Sequence, residues 1–261
     1  MRDTSQRRTK ILAMLREQGS VQVAPIAHQF GVSTQTIRQD LKFLTNLGMA
    51  TRSYGGAVLH GQAVPAPEEE VHVRRRIHSS EKSHIGRAAA AMIQPGDSVI
   101  LDSGTTTLQI AKHLPDDIEV RIVTNDLAIA NELAHHKNIH LTMLGGSLRH
   151  KTMSMYGTQA EGAMQNLSVD KLFLGVDGFD LERGITTHFE PEAILNRLMC
   201  AAAAQVIVVT DSSKFGRVCL HRILDPSRIH SLVTDDRMSP ALATELGAFG
   251  VRIIRAATDD R

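Results

Sequence analysis

Asp102-Ser103-Gly104-Thr105-Thr106-Thr107 follows a strand-like run and opens a helix-like one. Small hydroxylated residues and a glycine at such a junction offer backbone N–H groups and hydroxyls to an anion, and the helix dipole adds to the attraction. The segment is the best phosphate cradle in the chain; its plain alternative is a well-capped helix end with no ligand. No G-K-[ST] follows, so it is not a P-loop and a nucleoside triphosphate is not expected. Thr124-Asn125-Asp126, Gly145-Gly146-Ser147-Leu148-Arg149, Gly175-Val176-Asp177-Gly178 and Thr210-Asp211-Ser212-Ser213-Lys214 stand at comparable junctions. Ligands of open α/β sheets bind beyond the carboxyl ends of the strands, so these loops should converge. Asp102 and Asp177 suit sugar hydroxyls, while Arg149, Arg197 and Lys214 suit a phosphate or a polarised carbonyl. Taken singly each charge reads as a surface ion pair; as a set at strand ends they point to a polyol phosphate.

Thr186-Thr187-His188-Phe189-Glu190 and then Glu192 place two acids two residues apart, a spacing that invites general acid/base chemistry. Acids in a first helical turn are also favoured by the dipole, which is the reading for Glu190; Glu192 stands equally as a helix-end acid or a ligand contact. Among the 13 histidines, His135, His136 and His140 crowd together on separate elements without a tetrahedral ligand set, so no metal and no cofactor is expected.

A second chemistry lies near the start of the chain. Apolar positions predict helices over about 5–18, 24–30 and 34–47, the last two joined by the tight turn at Gly31-Val32 and the cap Ser33, followed by a hairpin over Met49–Leu59. This is the plan of a winged helix-turn-helix, whose second helix enters the major groove. With Ile37, Leu41 and Leu44 facing the core, Thr34, Gln35, Arg38, Gln39 and Lys42 point outward. Gln and Arg can make paired bonds to one base, and Ser33, Thr34 and Thr36 suit phosphate oxygens. Arg52 and Tyr54 fall on the wing. The bland alternative is a solvated amphipathic helix, and it would prevail for one isolated helix.

Charge distribution weighs against that alternative. The 261 residues carry a net charge of only +1, but residues 1–60 hold eight basic and three acidic side chains, +5, leaving 21 against 25, or −4, for the rest. A small basic part joined to a larger acidic one is expected when one domain meets an anionic polymer. Pro65, Pro67, Glu68–Glu70 and Arg74–Arg76 mark 61–80 as a linker between a reader over 1–60 and a domain over 81–257. In the latter, strands near Val99–Asp102, Val120–Thr124, Ile139–Leu144, Lys171–Val176, Val206–Asp211 and Leu232–Thr234 alternate with helices near 81–93, 105–114, 126–136, 190–204 and 239–248. That alternation implies an α/β fold with a mainly parallel sheet. Two cysteines without C-x-x-C spacing, and the lack of an apolar span or leader pattern, point to a cytoplasmic protein without a membrane segment.

Val21 to Leu44, with its V-S-x-x-T-I-R-x-D-L core, and the wing R-x-x-G-G-A ending at Ala57 together resemble DeoR-type bacterial transcription regulators. Leu101–Thr107, Leu144–Arg149, Phe173–Gly178 and Val209–Phe215 resemble the effector domain of the same family. Ser20–Val23, Asp180–Gly184 and Asn196–Cys200 are most similar to its regulators of N-acetylgalactosamine and related amino-sugar use. The resemblance implies a sensor domain similar in fold to ribose-5-phosphate isomerase and a role for Asp40 in orienting Arg38 or a base contact. The expected protein is a repressor of a carbohydrate operon that binds double-stranded operator DNA, a phosphorylated sugar effector and its own copies, as a dimer or tetramer. A phosphosugar isomerase with an appended DNA-binding domain is the alternative, kept open by Asp177 and Lys214 but lacking a well-defined glutamate base. A C-terminal domain serving only oligomerisation is the third reading.

Overall fold

The computed structural model describes residues 4–18, 20–47, 49–53, 56–59 and 68–257. It separates into two compact units whose boundary falls between Ala66 and Pro67. That boundary lies inside the stretch 61–80 expected as linker, and the described residues from Glu68 onward fall in the second unit except Gly216–Cys219, which group with the first.

In the first unit, α1 (Thr4–Gln18), α2 (Val23–Phe30) and α3 (Thr34–Asn46) enclose a small core with a three-stranded antiparallel sheet of β1 (Ser20–Gln22), β2 (Ala50–Ser53) and β3 (Gly56–Leu59), ordered β1-β3-β2. Ile11, Leu15, Val21, Ile26, Ile37, Leu41, Leu44 and Ala57 are buried together. The turn between α2 and α3 is made by Gly31 in the left-handed region, φ 58°, where its N–H closes onto α2 carbonyls. β1 is too short for an alternation to reveal it, but Gly56 registers its presence. A Cβ there would stand 1.9 Å from the Val21 carbonyl oxygen, so only glycine lets β3 lie against β1.

The second unit begins with α4 (Val71–Arg76) and α5 (Ser79–Ala90) and continues β4 (Ser98–Leu101), α6 (Thr107–Lys112), β5 (Val120–Thr124), α7 (Leu127–Leu133), β6 (Ile139–Met143), β7 (Ser147–Arg149), β8 (Ser154–Tyr156), α8 (Thr158–Met164) and β9 (Val169–Leu174). It closes with β10 (Gly178–Asp180), β11 (Gly184–Thr187), α9 (Glu190–Ala202), β12 (Ala203–Val209), β13 (His221–Leu224), β14 (Ser231–Thr234), α10 (Pro240–Ala248) and β15 (Arg252–Arg255).

Seven strands form one parallel sheet in the order β15-β14-β12-β9-β4-β5-β6. Side chains alternate between its faces: Ile100, Leu172 and Val208 join one buried cluster with Met199 and Ala193 of α9, while Val99, Leu101, Phe173 and Ile207 join another with Ile85 of α5 and Ile110 of α6. Both faces are therefore covered, as the near-continuous apolar runs require. From β4 the chain adds strands in one direction (β5, β6) and later, from β9, in the other. The β4/β9 pair is thus the topological switch point, where the crevice at the carboxyl ends opens. Two smaller antiparallel groups, β7-β8 and β10-β11-β13, stand outside this sheet. No helix among the described residues is long and apolar enough to cross a membrane.

Candidate functional site

Ser33 caps α3: its hydroxyl oxygen accepts the Thr36 N–H at 3.1 Å, so its first role is to start the helix. Thr34, Gln35, Arg38, Gln39 and Lys42 are exposed and Thr36 half-buried, giving α3 one polar face free of apolar side chains up to Phe43. Of Arg52 only the backbone is described, and Tyr54 lies outside the described residues. Asp40 departs from its expected role. Its carboxylate is 1% exposed and accepts from Arg7 Nε at 2.6 Å and Arg8 Nε at 2.8 Å, both on α1. It holds α3 to α1 rather than orienting a base contact. The spacing carried that signal, since Ile37, Asp40, Leu41 and Leu44 recur at helical period along the buried face. Arg8 also lies over the Phe43 ring, 3.9 Å from its centroid.

In the second unit, the loops after β4 and β9 meet at the switch point, where Gly175 N–H donates to Asp102 Oδ2 at 3.2 Å. Ser103, Gly104, Gly175 and Val176 form the floor of a cleft with two lobes. One lobe is completed by Asp177, Thr187, Glu192 and Thr152, the other by Thr105, Thr106, Thr210, Asp211, Lys82 and Lys214, and Arg74 borders both. The lysines thus gather in one lobe, with Asp211, and Asp177 and Glu192 in the other, while both lobes carry hydroxyls.

The acid lobe is a hydrogen-bonded chain. Thr187 Oγ1 lies 2.9 Å from Asp177 Oδ2 and 2.8 Å from Glu192 Oε1. One hydroxyl proton cannot serve two carboxylates, so one contact requires a protonated carboxyl. Glu192 is that group: burial, reinforced by the Asp177 charge, pushes its pKa up to about 7. Burial also disfavours the Asp177 charge, but Arg74, with Nη2 2.9 Å from Oδ1, together with Lys214 and His188, holds that carboxyl below its usual range. Asp102, buried and next exposed to the Glu192 charge, is pushed well above the usual carboxylate range. Its Oδ1 has no hydrogen-bond partner among the described residues.

In the other lobe Lys82 Nζ donates to the Arg74 and Ile77 carbonyls at 2.6 and 2.8 Å, and burial, with Lys214 and Arg74 nearby, lowers its pKa to about 8. Asp211 stays ionised: burial opposes it, but hydrogen bonding from Ser213 and the charges of Lys214 and Lys82 hold its pKa down. In this lobe Lys82 and Lys214 outnumber the ionised Asp211, which suits an anion.

Of the residues singled out in the sequence, Ser103, Gly104, Thr105, Thr106, Asp177, Glu192 and Lys214 line the cleft, with Asp102 directly beneath it. The others serve differently. Thr107 opens α6 and bonds the Gly104 carbonyl. Asn125 is buried and donates to the Met155 carbonyl. Gly145 and Gly146 shape the turn into β7; at Gly146, φ 124°, a Cβ would lie 2.4 Å from the Tyr156 carbonyl oxygen. Arg149 buttresses the acid lobe, bonding Glu192 at 3.1 Å and Glu68 at 2.7 Å and lying 4.1 Å from the Phe189 ring centroid. Arg197 is not in the cleft; it is exposed on α9 and donates to the Arg222 carbonyl at 2.6 Å. Arg74, Lys82 and Thr152 are members that the sequence reading passed over, while Thr187 and Thr210 come from loops it named without singling them out. Lys82 had a signal, since Lys82, Ile85, Gly86 and Ala89 share the buried face of α5. Among the described residues no group of three or more His, Cys, Asp or Glu is placed to hold a metal.

Comparison with known proteins agrees with both units. The model of the DeoR-like helix-turn-helix domain matches residues 7–63, and that of the DeoR C terminal sensor domain matches residues 77–236. A relative in Escherichia coli O157:H7, named as an aga operon transcriptional repressor, is 46% identical over 251 residues, covering 96% of this chain and 93% of that one. The glycerol-3-phosphate regulon repressor of Escherichia coli K12 is 30% identical over 231 residues, covering 88% and 90%. Among solved structures, ribose 5-phosphate isomerase A of Methanocaldococcus jannaschii is similar at a TM-score of 0.38 and 15% identity, over 51% of this chain and 53% of that one.

Proposed function

This chain belongs to the DeoR family of helix-turn-helix transcription regulators, and from that premise we propose that it represses a carbohydrate-use operon under the control of a phosphorylated sugar. The exposed face of α3 reads the operator, with Gln35, Arg38 and Gln39 placed for base edges and Thr34 and Lys42 for phosphates. Operators of helix-turn-helix proteins are usually repeated or palindromic, so the active species is a homo-oligomer, working in the cytoplasm where the operator is.

The observation that carries the sensor reading is the division of the switch-point cleft. Lysines and hydroxyls in one lobe suit a phosphate, and Asp177, Thr187 and Glu192 in the other suit sugar hydroxyls. The names of two relatives point the same way, one to the aga operon and one to glycerol 3-phosphate, a phosphorylated polyol. An amino-sugar phosphate is the ligand class we favour. For it to control repression, it must prefer one of two states of the protein, since equal affinity for both shifts nothing.

Calorimetric screening of hexose and amino-sugar phosphates against the intact protein tests this reading. Binding of one phosphate ester, with loss of binding to its unphosphorylated sugar, is expected; no binding at millimolar concentration of any of them contradicts it. One feature favours a second reading, a phosphosugar isomerase: the Glu192 carboxyl, with a pKa near 7, is suited to move a proton. Turnover of the bound ester would establish that reading, and binding without turnover would exclude it.

A further inference from the structure

We infer that the segment Glu68–Ile77 is a strap seated in the effector cleft and that the effector acts by displacing it. The inference rests on the reading of the cleft as a sugar-phosphate site. Arg74 stands between the two lobes, and beside it the lobes retain only about 10 and 20 Å3 of free volume, room for little more than a water each. Pockets for small ligands run to roughly 300–1,000 Å3. An occupant must therefore leave before a sugar phosphate can enter.

The strap is the element built to leave. α4 has no buried residue: Val73 is 39% exposed, and Val71, at the edge of the acid lobe, and Ile77 are only half-buried, so apolar packing holds the strap weakly. Polar contacts hold it instead: Arg74 to Asp177 at 2.9 Å, Glu68 to Arg149 at 2.7 Å and to Lys151 at 3.5 Å, Val71 N–H to the Lys151 carbonyl at 3.0 Å, and Lys82 Nζ to the Arg74 and Ile77 carbonyls. These anchors include the groups that a polyol phosphate would claim. Its hydroxyls compete with Arg74 for Asp177, and its phosphate competes with the two carbonyls for Lys82.

The strap ends at His78, whose φ of 54° and ψ of 38° put a residue with a β-carbon in the left-handed region immediately before α5. Such backbone is held only by its surroundings, as expected at the pivot of a moving segment. At its other end, residues 64–67 separate Glu68 from the last residue matched by the helix-turn-helix family model. The strap is thus close in sequence to the DNA-binding unit, which gives its release a covalent route to that unit.

Hydrogen exchange and calorimetry on the full-length protein test this. In Arg74→Gln, amide exchange across residues 71–77 should rise at least tenfold, and by more than in β4 and β9, whose exchange reports any general loss of stability from leaving the buried Asp177 without its cation. Glu68→Gln should produce the same effect from the opposite anchor. The sugar phosphate found by screening should accelerate exchange in the same segment of the wild type, bind Arg74→Gln about tenfold more tightly, and no longer change that variant's DNA affinity. Weaker binding to Arg74→Gln would make Arg74 a ligand of the effector and overturn the strap. If no sugar phosphate binds either protein, the effector reading fails, and exchange alone decides the strap: faster exchange in Arg74→Gln upholds a separable latch, and unchanged exchange overturns it.

Discussion

Asp40 Oδ2 of α3 accepts a 2.6 Å hydrogen bond from Arg7 Nε of α1, and Arg8 Nε reaches the other carboxylate oxygen at 2.8 Å. One buried acid thus bridges two cations and fixes the helix that carries the outward-facing Gln35, Arg38 and Gln39. Removing one partner of a buried ion pair leaves an uncompensated charge, which typically costs about 3–5 kcal/mol. Asp40→Ala should therefore destabilise the N-terminal unit by about 3 kcal/mol in chemical denaturation. A loss below about 1 kcal/mol would show that the pair does not hold α1 to α3.

Arg38 makes the opposite prediction. Exposed on α3, it supports no core contact, so Arg38→Ala should leave the melting temperature unchanged while weakening specific operator binding by about 1–3 kcal/mol, roughly fivefold to 150-fold. Fluorescence anisotropy with operator and scrambled duplexes separates the two effects. Equal loss on both duplexes would assign Arg38 to phosphate contact rather than base reading.

Glu192 sets a pH dependence. Its native pKa is raised from 4.5 to about 7, so between those values the folded protein keeps a proton that the unfolded chain has released. Stability then falls as pH rises through this window and levels off above about 7. Glu192→Gln mimics the protonated acid, donating to Thr187 and accepting from Arg149, and does not titrate. Its melting temperature should match the wild type near pH 4.5 and exceed it at pH 8, by the equivalent of at most about 3 kcal/mol. Parallel melting curves for the two proteins across that range would contradict a protonated Glu192.

Much of this arrangement is legible in the residue pattern. Ile37, Leu41 and Leu44 disclose which face of α3 is free, and the alternation of apolar runs with helical ones discloses a parallel sheet whose loops meet at one end. What escapes is decided by length and phase. β7, β8 and β10 have three residues each, too few for an alternation to register. Arg197 is misplaced because α9 buries Ala193, Asn196 and Cys200 on one face, which turns Arg197 to the other. Arg74 is hidden for a different reason. A segment held by ion pairs has no apolar period, so a basic run that seats one guanidinium between two lobes reads as a solvated linker.

The central claim is that one chain reads DNA through its N-terminal unit and a sugar phosphate through its C-terminal one. Its most direct test is fluorescence anisotropy of the full-length protein on DNA from its own upstream region, titrated with salt and then with the sugar phosphate identified by screening. The account predicts sequence-specific binding that weakens steeply with rising salt and a change in affinity of at least tenfold on adding the phosphorylated sugar, with none on adding the unphosphorylated one. Operator affinity that ignores salt, or that is the same with and without the bound sugar phosphate, would contradict it.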